Sequence, residues 1–233
     1  MLYNYLRYYF ITNKIKKTME NMENIKQIIT SFTKDDFSEN RVNLHIHTTF
    51  SDGEADAESI VKQAKELGYK KIAISDHNTL DAYLKTSILQ EEIVIPAVEF
   101  DVWCGYVFMH LLGYGVDVHN LELQSFCAKS KRETEWDIVR FFSKRDIKKL
   151  INAIHNAGGV AVLAHPACCW ALNMDRFVQK LVSYGLDGLE VYYPYKRHRG
   201  IIKFHVSNTI EKLADKYNLI KTGGTDLHRQ SLR

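Results

Sequence analysis

The chain has 233 residues, of which 45% are hydrophobic and 25% charged, with a formal net charge of +3. That length suits one large α/β domain with a real core, the composition is that of an ordinary globular protein, and the charge is too small for wholesale coating of nucleic acid. No apolar run approaches the roughly 18–20 residues of a membrane span, and the four cysteines, Cys104, Cys127, Cys168 and Cys169, form no Cys-x-x-Cys pair of a zinc ribbon or thioredoxin-like site.

In chain order, the amino terminus MLYNYLRYYFITNKIKK is aromatic and basic but lacks the layout of a secretory signal. It reads as a poorly ordered tail, with a weak interfacial helix or a misread upstream start (Met19 and Met22 being later candidates) as the other readings. Residues 20–33 predict a short amphipathic helix with Met22, Ile25, Ile28 and Ile29 on one stripe, and 33–40 read as a polar linker. Residues 1–40 are therefore expected to be a tail and short helix ahead of a main domain over 41–233. The first strand is 42–46, followed by Asp52 and Gly53. A helix over 57–67 is capped by Asp56, buries Ile60, Val61, Ala64 and Leu67, and closes at Gly68.

Strand 71–75 runs into Asp76 and His77, strand 93–98 ends in Glu99, and strand 107–112 carries His110. Residues 121–142 read as a charged helical region whose Lys129–Arg132 run is a solvated face. A helix over 146–157 points Ile147, Leu150, Ile151 and Ile154 inward, and strand 160–164 leads into His165-Pro166. Helix 174–184 precedes strand 188–191, which holds Glu190. Helix 207–217 precedes strand 219–222, which is followed by Asp226 and His228. Seven strands alternating with helices predict an α/β fold, a parallel sheet closed into a barrel. Active sites of such barrels lie at the carboxyl ends of the strands.

The chemistry gathers at those ends. Residues i and i+2 of a strand point to one side, so His45 and His47 present two imidazoles together, and Gly53 offers the backbone freedom of a tight turn. Imidazole and carboxylate in combination suit zinc, manganese or iron. Six of the ten histidines fall at or near strand ends: His45, His47, His77, His110, His165 and His228. A lone histidine is usually structural, but recurrence at equivalent points of a barrel is not explained that way. His119, His155, His198 and His205 fall in predicted loops or helices and are read as ordinary.

On His45-Ile-His47, Ser51-Asp52-Gly53, Asp76-His77-Asn78, Glu99, His110, Ala164-His165-Pro166 and Asp226-Leu227-His228, the chain resembles the polymerase and histidinol phosphatase (PHP) family of metal-dependent phosphoesterases, from about Arg41 onward. The resemblance implies a distorted (β/α)7 TIM-like barrel with two or three divalent ions of manganese, zinc or iron. It implies His45, His47 and Asp226 on the first ion, Glu99 bridging to a second held by His110 and His165, and Asp52, His77 and His228 on a third. His77, Glu99 and Asp226 carry the implied catalytic roles. Asp76 is expected to orient an imidazole and Glu190 to support the site.

The implied reaction is attack by metal-activated hydroxide on a phosphomonoester, the ions lowering the pKa of water toward about 7 and neutralising phosphate oxygens. The implied substrate is a small phosphorylated molecule: a nucleotide, a nucleoside bisphosphate or a nucleic-acid 5′ end such as that of a short RNA. Histidinol-phosphate or sugar-phosphate hydrolysis, or another metal-dependent hydrolysis, is the alternative. Two features depart from the bisphosphate branch: the stretch 118–159 is short, and Ala167-Cys168-Cys169-Trp170 follows Ala-His-Pro where that branch often has a basic residue. Arg197 or Arg199 could supply the cation, and Trp103, Trp170, Tyr192, Tyr193 or Tyr195 a face for a base to stack on. A structural role with eroded ligands is disfavoured because all nine expected ligand positions are filled. Adjacent Cys168 and Cys169 cannot easily bond to each other, so the thiols are expected to be reduced, in a cytoplasmic protein.

Overall fold

The computed structural model describes residues 2–194 and 207–232. Its architecture is mixed α/β. β1 (Val42–Ile46) and β2 (Lys71–Ile74) pair in parallel. A five-stranded sheet follows in chain order: β3 (Ala97–Cys104), β4 (Val107–Tyr114), β5 (Val160–Leu163), β6 (Gly188–Tyr192) and β7 (Ile220–Gly223). Between the two sheets, isolated parallel bridges join Ile46 to Leu227, Ile72 to Val94 and His77 to Glu99.

The expected all-parallel sheet is corrected. β3 and β4 form an antiparallel hairpin, and β4 also runs antiparallel to β5, while β5, β6 and β7 are parallel. The reason is local. Only Gly105 and Tyr106 separate β3 from β4, too few for the crossover that a parallel pair requires, and Gly105 adopts φ +68° in the turn. The third strand also starts later than 93 and runs past Glu99 to Cys104. Pro96 has no N–H to give a ladder, and ahead of it Ile93 and Ile95 share backbone hydrogen bonds with Ile72 of β2, at 2.8 Å each, before β3 begins.

Helices α3 (Ala57–Glu66), α8 (Ile147–Asn156), α9 (Met174–Ser183) and α10 (Ser207–Lys216) cover the sheets. The first three are capped by Asp56, Asp146 and Asn173, each accepting from a backbone N–H three residues on. α4 (Asp81–Lys85) and the short α5 (Leu121–Gln124), α6 (Arg132–Glu135) and α7 (Asp137–Phe141) fill connections, so the charged region 121–142 is broken into pieces. α1 spans Leu2–Thr30 as one helix where a tail and a short helix were expected. Its Ile25 and Ile29 are buried with Leu44, Leu112, Tyr114, Val160 and Val162. The expected linker folds as α2 (Lys34–Ser38), with a Thr33–Asp36 capping box. Among the described residues, no helix is long and apolar enough to cross a membrane.

One hairpin positions much of the site. Its register pairs Ala97 with Tyr114, Glu99 with Leu112, Asp101 with His110 and Trp103 with Phe108. Alternation puts these eight residues on one face. That face passes from apolar, through acid and imidazole, to aromatic at the turn.

Candidate metal centre

β1 brings His45 and His47 into the centre, both fully buried. Neighbouring backbone presses on this strand closely. A Cβ on Gly224 would lie 2.4 Å from His45 Cβ, and one on Gly53 2.4 Å from the His47 carbonyl. Gly53 is thus required by close approach and not by the unusual turn angles expected of it. Asn43 ties the far end of the chain to β1: its Nδ2 donates to Thr225 Oγ1 at 2.8 Å and its Oδ1 accepts from Thr225 N at 3.0 Å. Three site residues have left-handed backbone, Asn78 at φ +56°, His165 at +27° and Asp226 at +50°, strain of the kind that collects at functional positions.

All nine residues singled out in the sequence come together. Glu99, fully buried, sits in the middle. Its Oε2 lies 3.2 Å from His45 Nε2, 3.2 Å from His47 Nε2 and 3.4 Å from His77 Nε2. Its Oε1 lies 3.1 Å from His110 Nδ1 and 3.3 Å from His165 Nε2. Asp226 Oδ1 stands 3.1 Å from His47 Nε2 and 3.5 Å from His45 Nε2. Asp52 Oδ1 stands 3.3 Å from His228 Nε2 and 3.6 Å from His47 Nδ1, and its Oδ2 3.7 Å from His77 Nε2. Three groups of ligand-type atoms are compact enough to hold an ion: His45, His47, Glu99 and Asp226; His77, Glu99 and His110; and His47, Asp52, His77 and His228. The second includes His77, which the sequence reading assigned elsewhere.

The fit to metal is visible in atoms without hydrogen-bond partners. His45 Nε2, both ring nitrogens of His47, His77 Nδ1, both oxygens of Glu99 and Asp101 Oδ1 are buried and unpartnered. Buried polar groups are normally satisfied, so this concentration of lone pairs is what a cation site requires. Charges are strongly coupled. Burial presses the Glu99 carboxyl up, but the imidazoles of His45, His110 and His77 outweigh it and hold it well below the usual carboxylate range. Burial likewise opposes protonation of His47, but Asp226 and Glu99 raise it to about 9. His110 is raised to about 10 against burial by Glu99 and Asp101. For His77 burial wins and its pKa falls to about 3.

Partners outside the ligand set fix orientations. His45 Nδ1 donates to Glu190 Oε1 at 2.9 Å, and Glu190 Oε2 accepts from His165 N at 2.7 Å. Tyr193 OH donates to Asp226 Oδ2 at 2.9 Å. Asp76 holds no imidazole, contrary to expectation. It accepts from Thr48 N and Oγ1 and from Ser51 Oγ, each at 2.7 Å, and so anchors the loop between His47 and Asp52.

Two residues were missed. Asp101, fully buried, lies 3.1 Å from His110 Nε2 and 3.5 Å from His77 Nδ1, and Asn78 Nδ2 donates to it. The signal was its i+2 spacing from Glu99, hidden by ending the strand at Val98. Arg140, 7% exposed, donates through Nη1 to Asp52 Oδ2 at 2.7 Å. Nothing in a short charged stretch marks it out from its solvated neighbours. Of the aromatics considered, Trp103 packs edge-on to Phe141 at 4.8 Å, Tyr192 stacks on Phe37 at 5.3 Å and Trp170 is largely exposed. Among the histidines read as ordinary, His155 bonds Asp187 at 2.7 Å. Tyr195, Arg197, His198, Arg199 and His205 lie outside the described residues.

Three comparisons bear on this centre. A family model described as PHP domain matches residues 43–199. An uncharacterised protein of Methanocaldococcus jannaschii is 27% identical over 76% of this chain and 95% of its own. A phosphoribosyl 1,2-cyclic phosphate 1,2-diphosphodiesterase of Eggerthella lenta is 22% identical over 79% of this chain and 93% of its own. In fold, the chain matches a Bifidobacterium adolescentis protein put forward as a metal-dependent phosphoesterase, with TM-score 0.62 and 22% identity, over 80% of this chain and 87% of that one.

Proposed function

The chain belongs to the PHP-domain family of metal-dependent phosphoesterases, and from that membership we propose that it hydrolyses a small phosphomonoester: a nucleotide, a nucleoside bisphosphate or a nucleic-acid 5′ end. The observation that carries the reading is the cluster of buried, unpartnered ligand atoms around Glu99. Divalent ions of manganese, zinc or iron, when bound, would lower the pKa of a water and neutralise phosphate oxygens. We assign His45, His47 and Asp226 to one ion, His110 and His165 to another, and Glu99 between them. Asp52, His77 and His228 complete the ligand set, and His77, Glu99 and Asp226 are the residues closest to the chemistry.

The chain's own part is orientation and charge. Glu190, by accepting from His45 Nδ1, turns the lone pair of Nε2 toward the centre. Tyr193 occupies one oxygen of Asp226 and leaves the other facing His47. His77, whose pKa burial pushes down to about 3, stays neutral at neutral pH and keeps its lone pair for a metal. The bridges between the two sheets support reading them as one distorted seven-stranded barrel whose mouth holds this centre. Residues 41–233 are assigned to the catalytic domain and 1–40 to an extension of it, in a cytoplasmic protein with reduced thiols.

The test is phosphate release from nucleotides, nucleoside bisphosphates, 5′-phosphorylated short RNA and sugar phosphates. Chelation should abolish activity and manganese restore it. His45→Ala should lose well over the ~10–100-fold that follows loss of an outer partner, while His155→Ala stays near wild type. Equal losses in both variants would refute the assignment. A cyclic phosphodiester belongs in the panel because of the Eggerthella lenta relative. Preference for it over every monoester would replace the monoester reading with a diesterase.

A further inference from the structure

We infer that Arg140 stands in for the third ion, so that the centre takes two divalent cations and not three. The inference rests on the metal-centre reading above and concerns the group His47, Asp52, His77 and His228. A neutral imidazole has one lone pair to give. His47 faces Glu99 and Asp226 through Nε2 at 3.2 and 3.1 Å, and Asp52 only through Nδ1 at 3.6 Å. The site with two carboxylates therefore takes His47, and the third group is left with one formal negative charge, that of Asp52.

That charge is already paired with a cation, which also donates through Nη2 to the exposed Asp137 Oδ1. Arg140 Nη1 donates to Asp52 Oδ2 at 2.7 Å, and Nε, buried and without a hydrogen-bond partner, faces Asp101 Oδ1 at 4.0 Å. A guanidinium does not give up its proton in a protein, so this cation is permanent. An ion in the third group would sit against it in a buried setting, where like charges repel more strongly than in water. Among the described residues, the sites around Glu99 contain no such cation; Glu99, Asp226 and Glu190 supply charge of the opposite sign.

Arg140 is also held in place by the site itself. Trp103 Nε1 donates to Phe141 O at 2.6 Å and Asn78 Nδ2 to Glu133 O at 2.8 Å, pinning α6 and α7 beside the hairpin and the Asp76-His77-Asn78 turn. The guanidinium is thus delivered by a fastened segment and not by a free surface side chain.

The experiment is a metal count. Each protein is equilibrated with excess manganese, freed of unbound ion by gel filtration and analysed by inductively coupled plasma mass spectrometry, with circular dichroism to check folding. Wild type should carry two ions per chain. Arg140→Gln, which removes the charge, should carry three, and Arg140→Lys, which keeps it, two. Should Arg140→Gln fail to fold, Arg140→Met, uncharged and of similar length, takes its place with the same three-ion expectation, and a wild-type count of three overturns the inference by itself. Three ions in wild type, or two in folded Arg140→Gln, overturns the inference and leaves the metal centre standing. Wild type that binds no manganese overturns both.

Discussion

A metal can use His47 and His110 only after displacing protons, because the surrounding carboxylates raise these imidazoles to about 9 and about 10. Manganese affinity should therefore rise as pH goes from about 6.5 to 9. Calorimetric titration in buffers of different ionisation enthalpy should show protons released, and a flat profile would contradict this. The sign for stability is the reverse in metal-free protein. Both folded pKa values lie above the ordinary 6.5, so this stabilisation is full below 6.5 and is lost as pH rises through 9 and 10. Melting temperatures of chelated protein should fall across that window. Asp101 supplies a second check at this scale. Asp101→Asn removes the carboxylate from His110 Nε2 and should weaken manganese binding about 10–100-fold without unfolding the chain. The nine candidate positions were legible because each lies in a strand or in the loop that follows one, with a residue type that metal chemistry needs. Asp101 and Arg140 were not, because their meaning depends on where β3 ends and on how a short helix is docked.

Among the elements, the β3–β4 hairpin shows why the strand pattern was readable and its direction was not. Alternation of apolar and polar residues is the same in parallel and antiparallel strands, and only the two-residue turn distinguishes them. Beyond His110 the hairpin's inner face continues to Phe108, whose ring stands edge-on to His110 at 5.4 Å and 5.2 Å from Phe141. Phe141 is 44% exposed and Phe142 72%, which leaves ring surface beside the centre. If the substrate carries a base, stacking there is worth about 1–3 kcal/mol. Phe141→Ala should then raise KM for a nucleotide roughly 5- to 100-fold and leave a sugar phosphate unchanged. Equal effects on both substrates would remove the base from the reading.

For the molecule as a whole, α1 is the element whose weight the sequence understated. An isoleucine stripe marks a helix but not what it covers, and Ile29 turns out fully buried against the strands. Ile29→Ala should cost about 2–5 kcal/mol in chemical denaturation, whereas the exposed Thr30→Ala should cost little. The tie between Asn43 and Thr225 joins residues 182 apart in sequence. The same closure sets Gly224 against His45 and brings Asp226 to His47. Long-range contacts form late, because the chain must first close a large loop. During synthesis, a nascent chain that has already made His45, His47 and Glu99 still lacks Asp226, so the group of ligand-type atoms these four form closes only after the chain has grown well past Glu99. A product terminated ahead of Asp226 is born without one carboxylate of that group.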